Sequence, residues 1–537
     1  MRKLIKIVLF ATFFIHTSCS LWIKKDDKLS QSDVIAPLTE PNPAYSVELD
    51  ALIQRDVTGG LYFGLNSSHQ LNDEELSQLK EFFKLRSTHA NEKSQKRIQQ
   101  VVQHLKKEEF SKIVNYSVDE IIKASSKLTD SKNIEIAQML SDDATCYSAE
   151  LTLSYGAVEE KEFPDERAMN NVAKLYEKTF DCGEGETKAR AAYRLGLFHV
   201  MRNECQKSLK YWDIVSSTPD VKFLFSRAAY WRNQCALDEE QRKIAALNFY
   251  QTYPLSYHSV RALKEAKEDI GPTIFSRRQP KVLVRSEIEP KANQLVDEIE
   301  KRIHNNEFAK AKEMLNWFGD DRAQNLEPHF RLYLAYLAFM CHDGLSVFQF
   351  LAKVLVTYPE LKTVSTLSLF YPKWYYDLVE TEAQKYGLDP LLVISLVRQE
   401  SAFNKEAMSR VGARGLMQLM PATAKTLNRK IRKNELFIPE KNLQLGVQYF
   451  ANLVKRYNGN VTFALAAYNA GFGAVDKWIE RYKVDNEMLF SDLIPYRETR
   501  EYVASILRNY YWYQLLDQYN HSIAHKSVVV GELDQSL

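Results

Sequence analysis

A glutamate at the end of an apolar run is the side chain in this sequence best placed for acid–base chemistry. At helical spacing Glu400 shares a face with Val393, Leu396 and Val397, so its carboxyl group is expected to lose hydration. Loss of hydration disfavours the charged form, and the pKa of the carboxyl group is therefore expected to rise. A raised pKa suits a general acid that works near neutral pH. The alternative is a helix-end glutamate that lies in solvent or forms a salt bridge with Arg398.

Local signals mark the elements that must position this carboxyl group. Asp389 followed by Pro390 predicts a helix start, because aspartate caps free N–H groups and proline suits the first helical position. Downstream, Gly412-Ala413-Arg414-Gly415 predicts a turn in which the backbone approaches closely. Gln418 follows as a polar group within an apolar run, so we expect it to have a specific partner.

Two further helices are predicted after this turn, followed by a last helix rich in aromatic residues. Asn442 is expected to cap the first, and Asn458-Gly459 is expected to end it. The second covers residues 463–470, and Gly471 and Gly473 are expected to break it.

Three short motifs lie in order along this region: Gln399-Glu400-Ser401, Gly415-Leu416-Met417-Gln418 and Ala467-Tyr468-Asn469-Ala470-Gly471. They resemble the signature motifs of the soluble-type lytic transglycosylases, enzymes that cleave bacterial peptidoglycan. The lead-in from Tyr371-Pro372 to Asp389-Pro390 and the later segment 495–500 resemble the same family. Each motif alone is weak, but their order and spacing together are specific.

The resemblance implies a reaction that needs one carboxyl group instead of the pair that most glycosidases use. Glu400 would protonate the glycosidic oxygen that leaves N-acetylmuramic acid, while the acetamido group of the substrate stabilises the sugar cation. The same carboxylate would then take the proton from the C6 hydroxyl group, which closes a 1,6-anhydro ring. Such a site must exclude water. The resemblance implies no cofactor and no metal.

The resemblance also assigns substrate binding to Ser401, Met417, Gln418, Tyr468, Asn469 and Glu498. Most of these have a plainer alternative: a helix end for Ser401 and Asn469, core packing for Met417, and an aromatic core position for Tyr468. By resemblance, the Tyr468 hydroxyl group points at the catalytic carboxyl group. Glu498 is a candidate second carboxylate or substrate ligand, or it pairs with Arg497 or Arg500.

The N-terminus predicts export. Positively charged residues flank a short apolar run at residues 4–15, which is typical of a secretory signal and too short to span a membrane. His16-Thr17-Ser18-Cys19 resembles a bacterial lipoprotein cleavage site, so Cys19 is the residue expected to carry lipid. Ser20 resembles the residue that follows this cysteine in lipoproteins sorted to the outer membrane. The alternative is plain signal cleavage with Cys19 removed or left free.

The length of 537 residues indicates more than one domain. The composition, 45% hydrophobic and 26% charged, is that of an ordinary globular protein. The net charge of +2 gives no support to nucleic-acid binding. Beyond Cys19 the cysteines are Cys146, Cys182, Cys205, Cys235 and Cys341. Their pairing is left open; small buried residues on helices are the favoured interpretation for most, and no spacing indicates a metal site.

The predicted fold class is all-α, with an N-terminal α-superhelical arm of helical hairpins followed by a lysozyme-like, mainly helical catalytic domain. Ala191-Ala192-Tyr193 recurs as Ala228-Ala229-Tyr230, and Tyr211-Trp212 is echoed by Phe249-Tyr250. Small residues beside an aromatic, once per helix pair, are typical of stacked hairpins. The arm and the lysozyme-like domain are otherwise implied by the resemblance.

The predicted boundaries are a signal sequence at 1–19, a tether at 20–45, the arm at 46–365, the catalytic domain at 370–520 and a flexible tail at 521–537. Within the arm, helices are predicted at 74–85, 91–105 and 119–127, a loop at 264–290 and a second helical block at 291–358.

The resulting hypothesis is an exported, lipid-anchored lytic transglycosylase of the periplasm that is attached to the outer membrane and acts on peptidoglycan glycan strands. One alternative is a hydrolytic muramidase of related fold, and another is a non-catalytic envelope scaffold that holds protein partners on its arm. The sequence leaves open whether residues 46–160 continue the superhelix or form a separate element. It also leaves open exo or endo cleavage, the peptide stems required and any protein partner.

Overall fold

A computed structural model of the protein describes residues 166–275, 290–319 and 326–529. The predictions for the signal sequence, Cys19, the tether, the helices at 74–85, 91–105 and 119–127, and Cys146 lie outside these residues. Within the described ranges every regular element is a helix, apart from isolated bridges that join Arg414 to Met408 and to Leu419. The predicted all-α fold class is confirmed.

The described α-helices are numbered in chain order. They are α1 (Glu166–Cys182), α2 (Gly185–Met201), α3 (Cys205–Ser217), α4 (Phe225–Ala236), α5 (Glu239–Thr252), α6 (Tyr257–Ala266), α7 (Gly271–Phe275), α8 (Pro290–His304), α9 (Phe308–Leu315), α10 (Pro328–Met340), α11 (Gly344–Thr357), α12 (Val364–Phe370), α13 (Tyr376–Lys385), α14 (Pro390–Ser401), α15 (Pro421–Leu427), α16 (Pro439–Arg456), α17 (Val461–Ala470), α18 (Phe472–Tyr482), α19 (Glu487–Leu493) and α20 (Arg497–Val529). Short 3₁₀ segments lie at Pro219–Leu224, Asn316–Phe318, Pro359–Leu361 and Lys433–Phe437. No helix in the described ranges is both long enough and apolar enough to cross a bilayer.

The described residues group into two compact units. The first contains residues 166–238 and 465–501, and the second contains the described parts of 239–464 together with 502–529. The predicted boundary between arm and catalytic domain, at residues 365–370, falls on α12 within the second unit. The predicted division into arm and catalytic domain stays a prediction.

In the first unit, α2 packs against α1, α3 and α19. The small residues of the predicted repeat explain the close helix contacts, because Ala191 and Ala192 on α2 are fully buried. Gly196, one turn further, lies against Trp212 of α3: a Cβ atom at this glycine would stand 2.4 Å from the indole ring. The indole Nε1 of Trp212 donates to Ser208 Oγ at 3.0 Å, which satisfies the buried N–H group.

In the second unit, consecutive helices pack as pairs: α5 with α6, α8 with α9, and α10 with α11.

The aromatic residues predicted for the last helix form part of this unit's core. Trp512 of α20 is fully buried, and its ring stacks on Tyr371 with 6.0 Å between centroids. Tyr250 of α5 lies 6.4 Å from the same indole, and the Tyr513 hydroxyl donates to the Pro372 carbonyl at 2.7 Å.

Asn458-Gly459 ends α16 as predicted. Both residues have left-handed backbone angles (φ 51° and 87°), and Gly459 N donates to Val454 O at 2.9 Å. The other end of this helix corrects a prediction: α16 begins at Pro439, and Asn442 lies inside it instead of capping it. Proline suits the first helical position, because the N–H group it lacks would have no partner there.

Three further limits also differ from prediction. Gly471 follows α17, but Gly473 lies within α18 and does not break it. The predicted loop at 264–290 contains helix α7, where Gly271 N donates to Asp269 Oδ1 at 2.8 Å and Pro272 favours a first turn. The predicted tail from residue 521 continues α20 to Val529, since no glycine or proline interrupts the sequence before Gly531.

The favoured interpretation of the cysteines is wrong for most of those that are described. Cys205 at the start of α3 forms a disulfide with Cys235 near the end of α4. The two helices pack together, which brings the Cα atoms within 5.0 Å of each other. Cys182 is also disulfide-bonded. Cys341 alone among the described cysteines is a free buried thiol, as predicted.

Candidate active site

Helix α14 carries Glu400 into the interior of the second unit. The predicted start is confirmed: Asp389 Oδ1 accepts a hydrogen bond from Leu391 N at 2.8 Å, and Pro390 occupies the first turn. Leu396 and Val397 are fully buried, and Glu400 is only 3% exposed. The expected loss of hydration at this carboxyl group is therefore confirmed, and a glutamate in open solvent is excluded.

A tyrosine that the sequence motifs do not include contacts this carboxyl group. The Tyr502 hydroxyl on α20 donates a short hydrogen bond to Glu400 Oε1. At the start of α14, the Tyr510 hydroxyl of α20 donates to Asp389 Oδ2 at 2.5 Å. Helices α14 and α20 therefore run antiparallel, and α14 is joined to α20 near both of its ends. No local signal identifies Tyr502, because 102 residues separate it from Glu400.

Arg398 fixes the last turn of α14. Its guanidinium carbon lies 3.9 Å from the centroid of the Phe348 ring and 4.9 Å from those of Phe370 and Tyr371. Its Nε also donates to the Phe370 carbonyl at 3.4 Å. The aromatic faces stabilise the buried cation and hold the helix end against α11 and α12.

The chain turns sharply directly after Glu400 and Ser401. Ala402 and Phe403 both have left-handed backbone angles (φ 48° and 65°), which non-glycine residues adopt at some cost in energy. Gly344 supports this turn from α11, since a Cβ atom there would stand 2.3 Å from the Ala402 carbonyl oxygen. Ser401 Oγ donates to Val397 O at 3.3 Å, which is an ordinary helix-end contact.

The predicted turn before the second motif closes on itself. Gly415 (φ 74°) has the close backbone approach expected, because a Cβ atom would lie 2.1 Å from the Leu436 carbonyl oxygen. Gln418 has specific partners, as expected of a polar group in an apolar run: its Nε2 donates to Ala407 O at 3.0 Å and to Gly415 O at 2.9 Å. These bonds hold the loop that follows α14 in a fixed shape.

Met417 and Asn442 anchor this loop to helix α16. Met417 is fully buried against Gly446 of α16, where a Cβ atom would stand 2.4 Å from its sulfur. Asn442 Oδ1 accepts from Met417 N at 2.8 Å, and its Nδ2 donates to Arg414 O and Leu436 O at 2.8 and 2.7 Å. Met417 thus packs in the core in this structure, and its contact with substrate stays a prediction.

The remaining predicted site residues belong to the first unit. Tyr468 and Asn469 are half-buried near the end of α17, and Asn469 Oδ1 accepts from Thr499 Oγ1 at 2.6 Å. Glu498 is half-buried in the first turn of α20, next to Thr499. The structure therefore links the third motif to the segment 495–500 through Asn469 and Thr499. The predicted roles of Tyr468, Asn469 and Glu498 stay predictions.

Buried charges of the first unit hold the chain that leads into α20. The Asp492 carboxylate accepts from Trp231 Nε1 at 2.7 Å and forms a close ion pair with Arg227. Arg227 also pairs with Glu501 at 2.9 Å. Arg194 donates to the Asp492 and Leu493 carbonyl groups at 3.1 and 3.0 Å. Helices α2 and α4 thereby fix the segment just before Glu498.

Electrostatics follow from these contacts. Burial raises the pKa of Glu501, but the positive charges of Arg227, Arg500 and Arg497 outweigh burial, so its pKa lies below the ordinary value.

Across the described ranges, no three His, Cys, Asp or Glu side chains are grouped so as to hold a metal ion.

Comparison with known proteins supports the resemblance. Residues 377–490 match the transglycosylase SLT domain family. The chain is 35% identical over 158 residues to the putative soluble lytic murein transglycosylase of Haemophilus influenzae, a match that covers 28% of this chain and 26% of that protein. It is 34% identical over 158 residues to the soluble lytic murein transglycosylase of Escherichia coli, covering 28% and 24%.

A membrane-bound relative and a solved structure are also similar. The membrane-bound lytic murein transglycosylase C of Actinobacillus pleuropneumoniae is 33% identical over 173 residues, covering 29% of this chain and 47% of that protein. The matched region thus spans between about a quarter and a half of these relatives. The crystal structure of the 70 kDa soluble lytic transglycosylase from Escherichia coli aligns with a TM-score of 0.51 at 17% identity, over 84% of this chain and 73% of that one. At this identity the likeness concerns the fold alone.

Proposed function

We propose that this chain, which contains a transglycosylase SLT domain, is a peptidoglycan lytic transglycosylase. It would cleave the β-1,4 bond between N-acetylmuramic acid and N-acetylglucosamine without water and release 1,6-anhydromuropeptides. The observation that carries the proposal is the buried carboxyl group of Glu400 within the matched domain. The names of the similar proteins support the same reaction class.

Glu400 acts in both halves of the proposed reaction. As an acid it protonates the glycosidic oxygen, and as a base it takes the proton of the C6 hydroxyl group when the anhydro ring closes. Burial favours the neutral acid, whereas the hydroxyl group of Tyr502 stabilises the carboxylate. These opposing effects suit a group that must give up and regain one proton per turnover. The donor also holds the carboxyl group in one orientation.

The loop after α14 supplies the proposed walls of the glycan groove. Ser401 follows Glu400 directly, and Gln418 contributes by fixing the loop with its two bonds to Ala407 and Gly415. Met417 supports this loop from the core. Tyr468, Asn469 and Glu498 are also proposed as substrate-binding residues, and the Asn469–Thr499 hydrogen bond supports a shared role for the third motif and segment 495–500.

The cellular location of the enzyme is also a proposal. Export through the signal at residues 1–19, lipid attachment at Cys19 and anchoring at the outer membrane would place the enzyme next to its glycan strands in the periplasm. Similarity to a membrane-bound lytic murein transglycosylase supports this arrangement. The superhelical arm at 46–365 and the catalytic domain at 370–520 are proposed as its two parts.

Mass spectrometry of digested sacculi tests the reaction, because an anhydro product is lighter than a hydrolysis product by one water. The parent is expected to yield anhydro ends, and Glu400→Gln is expected to lose activity by about 10²- to 10⁴-fold. Glu406→Gln is the matched control, since that glutamate is exposed nearby. Reducing ends would indicate a hydrolytic muramidase. A fully active Glu400→Gln variant would overturn the site, and an inert parent whose arm captures proteins would indicate a scaffold.

A further inference from the structure

Three arginine side chains from separate helices are buried in the first unit. Arg194 of α2, Arg481 in the last turn of α18 and Arg500 in the first turn of α20 are 7%, 7% and 8% exposed. Burial, together with the charges of Arg500 and Arg481, lowers the pKa of Arg194 to about 10. The three cations, called here the arginine cluster, are therefore close enough to repel one another.

Arg481 has no hydrogen-bond acceptor among the described residues. None of its three guanidinium nitrogens meets an acceptor anywhere in the described part of the chain, although all three are buried. Its guanidinium carbon lies 5.8 Å from the centroid of the Tyr482 ring. Arginine stays charged at any physiological pH, so it cannot relieve this by losing a proton. A buried cation without an acceptor is strongly unfavourable unless an anion accompanies it.

Arg500 also has a buried donor without an acceptor among the described residues. Its Nη1 donates to the Ile494 carbonyl at 2.6 Å, but its Nε is buried and meets no acceptor in the described residues. Arg481 and Arg500 both act electrostatically on the phenol group of Tyr176, which places that hydroxyl group in the same region. At least two buried guanidinium groups that act on Tyr176 therefore have donors that meet no acceptor among the described residues.

Two carboxylates of this unit already have partners. Asp492 accepts from Arg227 and Trp231, and Glu501 pairs with Arg227. Neither accepts a hydrogen bond from Arg481, whose guanidinium nitrogens meet no acceptor among the described residues. A water molecule could accept hydrogen bonds from Arg481 but would leave its charge uncompensated.

We infer that the arginine cluster binds a small oxyanion, a carboxylate or a phosphate, with Arg481 as its principal ligand. The planar guanidinium fork matches the paired oxygens of such anions, and hydrogen bonds between two charged groups are the strong ones. Two sources share this chemistry: a free inorganic anion, and the carboxylate of a peptide. The site does not involve Glu400, so it goes beyond the proposed function and is testable independently of it.

Thermal unfolding of the full chain in a sulfonate buffer, with and without inorganic phosphate or acetate, tests the site. The melting temperature of the wild type is expected to rise and saturate with phosphate or acetate concentration, because a ligand of the native state stabilises it. In Arg481→Met the saturating rise should be lost, while the melting temperature without anion should equal or exceed that of the wild type. An unfavourable buried charge has then been replaced by an apolar side chain of similar length.

Calorimetric titration measures the affinity directly. Hydrogen bonds to charged groups predict that Arg481→Met weakens phosphate binding roughly 10- to 100-fold. Arg481→Lys keeps the positive charge but lacks the planar guanidinium group, so it should bind phosphate with intermediate affinity. This variant replaces Arg481→Met in the test if the methionine variant folds poorly. Arg232→Met is the matched control, because that arginine is 47% exposed and pairs with Asp213 on the surface of the same unit.

Titrations with peptides distinguish the two possible sources of the anion. A short peptide with a free terminal carboxylate that binds saturably, while its amide does not, supports a peptide ligand; binding of phosphate alone supports an inorganic one. The inference is overturned if neither phosphate nor acetate binds saturably, or if wild type and Arg481→Met respond equally. Repeating the titration in Glu400→Gln keeps the outcome independent of catalysis.

Discussion

The hydroxyl group of Tyr502 donates a hydrogen bond to Oε1 of Glu400, across 102 residues of sequence. The bond joins the end of α14 to α20, and the Tyr510–Asp389 bond joins the start of α14 to the same helix. The carboxyl group is thus oriented by a contact between two helices, and general acid–base catalysis depends on such orientation.

Removing the Tyr502 hydroxyl group should impair turnover more than binding. Tyr502→Phe keeps the ring in the core but deletes the donor that orients Glu400. We expect kcat on muropeptide strands to fall about tenfold with KM little changed, as for the loss of one hydrogen bond to a charged group.

Tyr510→Phe provides the comparison for that experiment. It deletes the equivalent donor at the distant end of α14, so it should lower the melting temperature without a comparable loss of kcat. Equal effects of the two substitutions on kcat would mean that Tyr502 has only a structural role.

Gly344 is expected to tolerate no side chain. A Cβ atom in Gly344→Ala would stand 2.3 Å from the carbonyl oxygen of Ala402, in the strained turn directly after Glu400. Overpacking against backbone should destabilise the protein by about 1–3 kcal/mol and reduce activity through displacement of the turn.

The matched control is Gly473→Ala, since nothing lies within 4 Å of a Cβ atom there and the residue is in α18. Alanine in that helix should instead stabilise by up to about 1 kcal/mol. Chemical denaturation of both variants measures the opposite signs, and the same sign in both would contradict the packing argument.

The buried Asp492 carboxylate should contribute strongly to stability. Asp492→Ala leaves Arg227 and Trp231 without the carboxylate that both contact, so the free energy of unfolding should fall by about 3–5 kcal/mol. Asp213→Ala breaks an exposed pair with Arg232 and should change stability by at most about 1 kcal/mol. Denaturant titration that gave similar losses for the two variants would refute this prediction.

Glu501 should make stability depend on acid pH. The pKa of its carboxyl group in the folded protein lies below the ordinary value, because the arginines around it outweigh burial. The ionised group therefore stabilises the fold fully above the unfolded pKa of about 4.3, and this contribution is lost as pH falls through the lower folded pKa.

Denaturation of wild type and Glu501→Gln at pH values from neutral to about 3 tests this dependence. The difference in unfolding free energy between them should be constant near neutral pH and shrink in the acid range. Glu480→Gln, at an exposed glutamate of the same unit, is the control. A difference that did not vary with pH would show that Glu501 is not linked to folding.

Thiol chemistry should distinguish the cysteines. Replacing both Cys205 and Cys235 by alanine should lower the unfolding free energy by about 2–4 kcal/mol, because the disulfide restricts the unfolded chain. Cys341 is free but buried, and burial raises the pKa of its thiol to about 11. Under native conditions it should react slowly with iodoacetamide, and in denaturant quickly. Rapid labelling of the native protein, read by mass spectrometry, would show that Cys341 is accessible.

The sequence by itself determined the features that depend on neighbouring residues. The Asp389-Pro390 start, the Asn458-Gly459 stop and the apolar periodicity that buries Glu400 are all local, since caps and helix faces involve residues within about a turn. The order of the motifs, together with this burial, was sufficient to single out Glu400.

The tertiary structure decided the contacts between segments that are distant along the chain. The Tyr502–Glu400 hydrogen bond and the Cys205–Cys235 disulfide each join two helices, and Asn442 joins α16 to the loop that contains Met417. The arginine cluster likewise collects its members from α2, α18 and α20. Whether a cysteine pairs depends on which helices pack together, and the residues next to it in sequence carry no record of that packing.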